Sequence, residues 1–327
     1  MNTNNIRSLY VSINKLLPFG KVGMGLICAL LLISSCKKEE VPVPDVKDTS
    51  YYFEPLPTDT TEEASIRRAF MEKYGSHLLF NDTIQHEFRG VNVLGDSIWF
   101  TEKLDINYYI GSSYGTGTLH YTYELLSSLE YKKKATEFVE TYVLPHFTNE
   151  LQPYSWLVVN RIMYHDALHK ITYPYSCSGQ RATAVACNGV QRYNESQKKK
   201  LAVQVIISLM TQIETNNSDL FDEFTSISVR NYGVKFAEST ITNKDNTEEL
   251  RKAGFFSKGK NEWSVSTNGL YPDKDKDVAD YITLVATYTM EEIQTSYGAY
   301  EKIIEKASVM RRLFQSLGFK FDDDLAQ

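Results

Sequence analysis

The sequence predicts a mixed α+β fold in which helices dominate and the sheet is small. Three observations carry that expectation. Five segments (62–74, 121–144, 198–214, 277–293 and 300–317) place apolar residues at one-turn spacing. Short apolar runs between them have strand character. No internal repeat appears, so the chain reads as one domain or a closely packed pair of subdomains.

From Glu62 to Tyr74, Ile66, Phe70 and Met71 share one helical face. His77 to Phe80 and Ser97 to Phe100 read as short strands, and Asn107 to Thr118, rich in Gly, Ser and Tyr, as a loop. Tyr121 to Leu144 reads as a helix carrying Leu125, Leu129, Phe138 and Val143, ended by Pro145. Trp156 to Ile162 is a run of buried-strand character. Lys198 to Glu214 is the strongest helix, because Leu201, Val205, Leu209 and Ile213 recur about every turn. Trp263 to Asp277 is polar and turn-rich. Asp277 to Ile293 and Tyr300 to Leu317 are the last two helices.

The N-terminal region has a different logic. Arg7, Lys15 and Lys21 precede an apolar segment from Val22 to Ile33, too short to span a bilayer. Ile33-Ser34-Ser35-Cys36 closes it. That order resembles a bacterial lipoprotein signal, in which residues 1–35 are removed and Cys36 is lipidated. An ordinary secretory signal or a weak anchor is the plainer reading. Residues 36–60 read as a flexible tether, with the charge run Lys37-Lys38-Glu39-Glu40 and the extended Val41-Pro42-Val43-Pro44 and Pro55-Leu56-Pro57. Residues 61–327 form the globular part.

Without residues 1–35 the chain keeps 32 basic and 41 acidic residues, a net charge of −9. An acidic body argues against nucleic acid as a partner and against charge-driven binding to anionic lipid. Two cysteines then remain beside Cys36. Cys177 and Cys187 form a disulfide, as an oxidising compartment permits, or stay two buried thiols.

Zinc hydrolases often carry His-Glu-x-x-His on a helix, whose i, i+4 spacing puts both imidazoles on one face. This chain holds two partial copies. His165-Asp166-Ala167-Leu168-His169 keeps the spacing, with Asp for Glu, but follows an apparent strand. His86-Glu87-Phe88-Arg89-Gly90 has glycine at the second ligand position. His77, His120 and His146 are isolated. Asp273, Asp275 and Asp277 alternate, yet Val278 and Leu284 stand where a calcium loop needs Gly and Glu. A solvated loop whose last Asp caps the following helix accounts for them. No nucleophile elbow or phosphate loop is present.

Taken in order, several segments resemble the zinc-binding metallopeptidase lipoproteins of Bacteroidetes, zinc metallohydrolase lipoproteins associated with substrate import. They are the lipobox and Pro-rich tether, Lys73-Tyr74-Gly75, the helix ending Val143-Leu144-Pro145-His146-Phe147, and the strand Trp156 to Val159. The long helix follows, then Asp222 to Ser228 with Tyr232, Gly254-Phe255-Phe256-Ser257, the helix Asp277 to Glu292 and the C-terminal helix. The resemblance implies a zincin-like metallopeptidase scaffold. It also implies a lipid-anchored outer-membrane protein, on the periplasmic or cell-surface face, acting with a TonB-dependent importer on a peptide, a glycan or a partner protein. It places the family's zinc motif on Ile207-Ser208-Leu209-Met210-Thr211, where Ile207 and Thr211 replace the ligands and Ser208 the general base. Isoleucine offers no donor atom, and serine is no base near neutral pH. The expectation is therefore an inactive relative with no cofactor. Two alternatives stand beside it: an active zinc hydrolase with a site relocated to His165 and His169, and a structural subunit of an importer complex.

Overall fold

The structure, a computed structural model, describes residues 53–104, 120–166, 168, 170–235, 247–259 and 270–325. The signal segment, Cys36, the tether up to residue 52, the loop Asn107 to Thr118 and His169 lie outside the described residues. Residues 50–327 cluster as one compact unit.

Helix α1 spans Glu62–Tyr74, capped by Thr61 and stopped by Gly75 at φ 68°, a left-handed conformation that glycine adopts without strain. Strand β1 (His77–Leu79) follows, then β2 (Thr83–Val91) and β3 (Ser97–Lys103). Strand β4 covers His120–Glu124 and helix α2 Leu129–Tyr142. The sequence pattern had joined these last two into one helix. Ser128 caps α2 by accepting from the Tyr131 amide, and the Tyr121/Tyr123 alternation of β4 has period two, packing both rings toward one core.

The run expected as one strand from Trp156 to Ile162 is two, β5 (Ser155–Val159) and β6 (Arg161–His165), which belong to different sheets. Asn160 makes the break: its amide donates to Glu124 O and its carbonyl accepts from Asn188 N. Strands β7 (Ile171–Thr172), β8 (Ser176–Ser178) and β9 (Thr183–Ala186) precede the long helix α3 (Glu195–Asn216). A reciprocal capping box between Asn194 and Gln197 starts α3. Short helices α4 (Asp222–Ser226) and α5 (Thr247–Ala253) follow. The last part is α6 (Lys274–Thr287), α7 (Met290–Tyr297), α8 (Glu301–Ser316) and α9 (Asp322–Leu325). The expected helix from Asp277 to Ile293 is broken because Thr289 and Glu292 build a capping box that starts α7 anew.

The central sheet has the order β1-β5-β9-β8, with the first three strands parallel and β8 an antiparallel edge. Its side chains alternate between two cores. Leu78, Trp156, Val158 and Val185 join α2, α3, α6 and α8 on one face. Leu79, Leu157, Val159 and Ala184 join Phe53, Ile162 and the tyrosines of β4 on the other. Both faces are covered, so β5 and β9 are buried at every position. A second sheet, β4-β6-β7, covers the second core, and β2 with β3 form a separate two-stranded ribbon.

Two expectations change here. Residues 53–60, expected in the tether, dock on the fold: the Phe53 ring lies against His77 and Tyr154, and Arg67 donates to Phe53 O at 2.7 Å. Asp277 is not a solvated cap. Asp273 caps α6, and Asp277, one turn in, is buried.

Asp277 pairs with Lys306 of α8, which is also fully buried. Lys306 Nζ donates to Asp277 Oδ1 at 2.7 Å, to Oδ2 at 2.5 Å and to Gly254 O at 3.0 Å. Tyr232 OH donates to Asp277 Oδ2 at 2.7 Å. The rings of Phe224, Phe255 and Tyr281 surround the ammonium at 4.5–4.8 Å. Burial pushes the Asp277 carboxyl up and the Lys306 ammonium down to about 8, each opposed by its partner's charge and hydrogen bonds. Gly254 sits at φ 85°, and a Cβ there would lie 3.1 Å from Lys302 Cβ. Lys306→Met leaves a buried carboxylate uncompensated and is expected to cost about 3–5 kcal/mol in urea unfolding. The double variant Asp277→Leu/Lys306→Met is expected to regain at least half of that loss.

Candidate functional site

The positions matched to the zinc motif lie in the middle of α3, where the helix packs on strand β8 and on α6. The helix directs Leu201, Val205, Leu209 and Met210 into the core. That rotation leaves Ile207 and Ser208 half-buried and Thr211 exposed.

Ser208 faces the edge strand. Its Oγ accepts from the Ser176 amide at 3.1 Å and from Ser176 Oγ at 2.8 Å. Gln212, one turn on, donates through Nε2 to Ser176 Oγ at 2.8 Å. In an antiparallel pair, alternate residues turn their amides away from the partner strand. Ser176 is such a residue on β8, and α3 satisfies its N–H. Thr211 Oγ1 donates to Ile207 O at 2.8 Å, a bond within the helix. Ile207 packs against the main core.

A catalytic zinc needs three nitrogen, sulfur or carboxylate donors converging on one point. Ile207 has none, and both hydroxyls are already hydrogen-bonded. Asp277 and Asp280 of α6 are engaged as well. Lys306 holds Asp277, while Asp280 accepts from Ser257 at 2.5 Å and pairs with Lys276. These residues do not fit a zinc ion. Among the described residues, no group of three or more His, Cys, Asp or Glu side chains is placed to hold a metal.

His165 ends strand β6, not a helix. Its Nε2 lies 2.9 Å from Thr122 Oγ1, and its ring stacks on His120 with centroids 4.5 Å apart. Asp166, which stands where the zinc-hydrolase pattern has Glu, accepts from the Leu168 and Lys170 amides and shapes the turn into β7. Of the described residues, His165 is in a strand and Asp166 and Leu168 are not helical, while His169 lies outside them. His86 lies on β2, with Nδ1 2.8 Å from Thr101 Oγ1 and its ring stacked on Trp99.

Cys177 and Cys187 are separate buried thiols, and the expected alternative of a disulfide is not formed. Cys177 belongs to the second core, beside Tyr123 OH at 3.8 Å, and Cys187 to the main core. Burial pushes the Cys177 thiol up to about 12 and Cys187 up as well, so neither is poised as a thiolate.

Sequence reasoning missed Ser176, the partner of Ser208, and with it Gln212, which donates to Ser176, because a β8 of three residues gives no periodic signal. Lys306 was also missed, although it shares an apolar helical face with Ile303, Ala307, Met310 and Phe314. A lone lysine on such a face signals a buried partner.

Comparison with family models, with curated proteins and with solved structures gives no match to this chain.

Ser208→Ala removes the acceptor for a buried backbone amide. The expected loss is about 1–3 kcal/mol in urea unfolding.

Proposed function

We propose that this chain is a lipid-anchored outer-membrane accessory protein on a zincin-like scaffold, catalytically inactive, that holds a peptide, glycan or partner protein of a TonB-dependent nutrient importer. Anchoring rests on the lipobox ending at Cys36 and on the Pro-rich stretch after it. The scaffold reading is supported by a long helix packed on a small sheet, with a single antiparallel strand at the edge nearest that helix. Among the described residues no helix is long and apolar enough to cross a membrane.

One observation carries the inactive reading. Ser208, where the family places its general base, is hydrogen-bonded twice to the buried Ser176 of the edge strand. A residue that must activate water has to face the substrate. Here the hydroxyl closes a gap between helix and sheet. The ligand positions on either side carry a core-packing isoleucine and a threonine bonded to its own helix.

The test is metal content. The chain from residue 36 onward, dialysed against chelator-free buffer and then against trace zinc, is expected to retain well under one equivalent of tightly held zinc. One equivalent of zinc, lost on His165→Ala or His169→Ala, overturns the inactive reading. Labelling with palmitate in a bacterial host, abolished by Cys36→Ala, is the expected result for the anchor.

A further inference from the structure

The ribbon of β2 and β3 pairs only with itself among the strands described. A two-stranded ribbon normally shelters its apolar side chains against a neighbour. This one presents them outward. Phe88 is 54% exposed and Trp99 53%, with Val91, Ile98 and Phe100 also exposed. At the turn Val93 is fully exposed and Leu94 84% exposed. Exposed apolar side chains in this number on one small element mark a contact site.

We infer that the tip of this ribbon inserts into the interface of a lipid bilayer. Three features favour lipid over a protein partner. The first is the satisfied turn. Asn92 Oδ1 accepts from the Leu94 and Asp96 amides at 2.8 and 2.9 Å, and Asn92 Nδ2 donates to the Asp96 carboxylate at 3.0 Å. The Asn92 amide bonds Asp96 O at 2.9 Å, and Gly95 N bonds Asn92 O at 3.0 Å. Polar groups that enter lipid must be satisfied within the protein, and the amides of Asn92, Leu94, Gly95 and Asp96 are.

The second is the order of side chains along the ribbon. The aliphatic Val93 and Leu94 lie at the extremity, and the aromatic Phe88, Trp99 and Phe100 lie behind them. The amphipathic indole of Trp occupies the headgroup level of membranes, with purely apolar groups deeper, and Trp99 is so placed. Between Phe88 and Phe100 the ionic charges are Arg89 and Asp96, which cancel. Adsorption therefore runs on apolar burial and not on charge, as an acidic body requires.

The third is where the chain outside the structure ends. Glu54, Pro55, Leu56 and Asp59 line a cleft of about 330 Å³ together with Thr83 to Glu87, so the described chain begins beside the base of the ribbon. The tip lies about 30 Å from that base, at about 3.3 Å per strand residue. Sixteen residues, seventeen Cα steps, separate Cys36 from Phe53. Extended, they reach about 60 Å, enough for a lipid on Cys36 and the ribbon tip to share one membrane. This last feature rests on the lipoprotein reading; the first two do not.

The test separates the two. The chain from residue 36 onward with Cys36→Ser, which has no acyl group, is mixed with phosphatidylcholine vesicles and sedimented. Direct binding is expected, unchanged when a third of the lipid is phosphatidylglycerol and unchanged by 0.5 M NaCl. Val93→Asp/Leu94→Asp, at exposed positions that leave the core intact, is expected to weaken binding at least tenfold with an unaltered circular dichroism spectrum. Trp99 emission is expected to be quenched by brominated lipid, a signal lost in Trp99→Phe. Absence of binding, or equal binding by the double variant, overturns the inference even if Cys36 proves lipidated. Binding without palmitate labelling of Cys36 leaves the ribbon's role standing and removes the anchor.

Discussion

The contact between Asp277 and Lys306 organises the C-terminal half of the molecule. Taking two charges out of water is costly, and only close pairing with further hydrogen bonds offsets it. Every group that satisfies this pair comes from a different part of the chain. Tyr232 follows α4, Gly254 follows α5, Asp277 lies in the first turn of α6 and Lys306 lies in the first half of α8. The rings of Phe224, Phe255 and Tyr281 close the shell. Because α6 also packs on α3, the pair holds the helical layer in the position from which α3 meets the sheet.

That position decides the chemistry available on α3. Its rotation is fixed by Leu201, Val205 and Leu209 in the core, so position 208 must face the edge strand. A glutamate there would leave the Ser176 amide to find another partner and would bring an ionised group to a half-buried site. Serine is short enough to accept from Ser176 directly. The hydroxyls of Ser208 and Thr211 thus bond to the protein itself.

Much of the fold was legible because its helices obey a single periodicity. The limits of α1 and α8 follow from spacing and from the residues that stop each helix, Gly75 among them. Where the reading failed, a local feature outweighed the apolar pattern. Asn160 splits an apolar run into two strands of different sheets, Ser128 separates a strand from a helix, and Thr289 with Glu292 restarts a helix. The site was legible by position and not by partner. Ser208 was identified on α3, but Ser176 is 32 residues away on a strand too short to signal itself. The exposure of Val93 and Leu94 is not legible in the sequence, since exposure is a property of what surrounds a side chain.

The central claim is that α3 carries a structural contact where its suggested relatives bind metal. Crystals of the chain grown with excess zinc and measured at the zinc absorption edge test it most directly. The account predicts no anomalous peak at bonding distance, about 2 Å, from any side chain of α3. An ordered zinc ion beside Ser208, with the Ser176 hydrogen bonds broken to admit it, would contradict it.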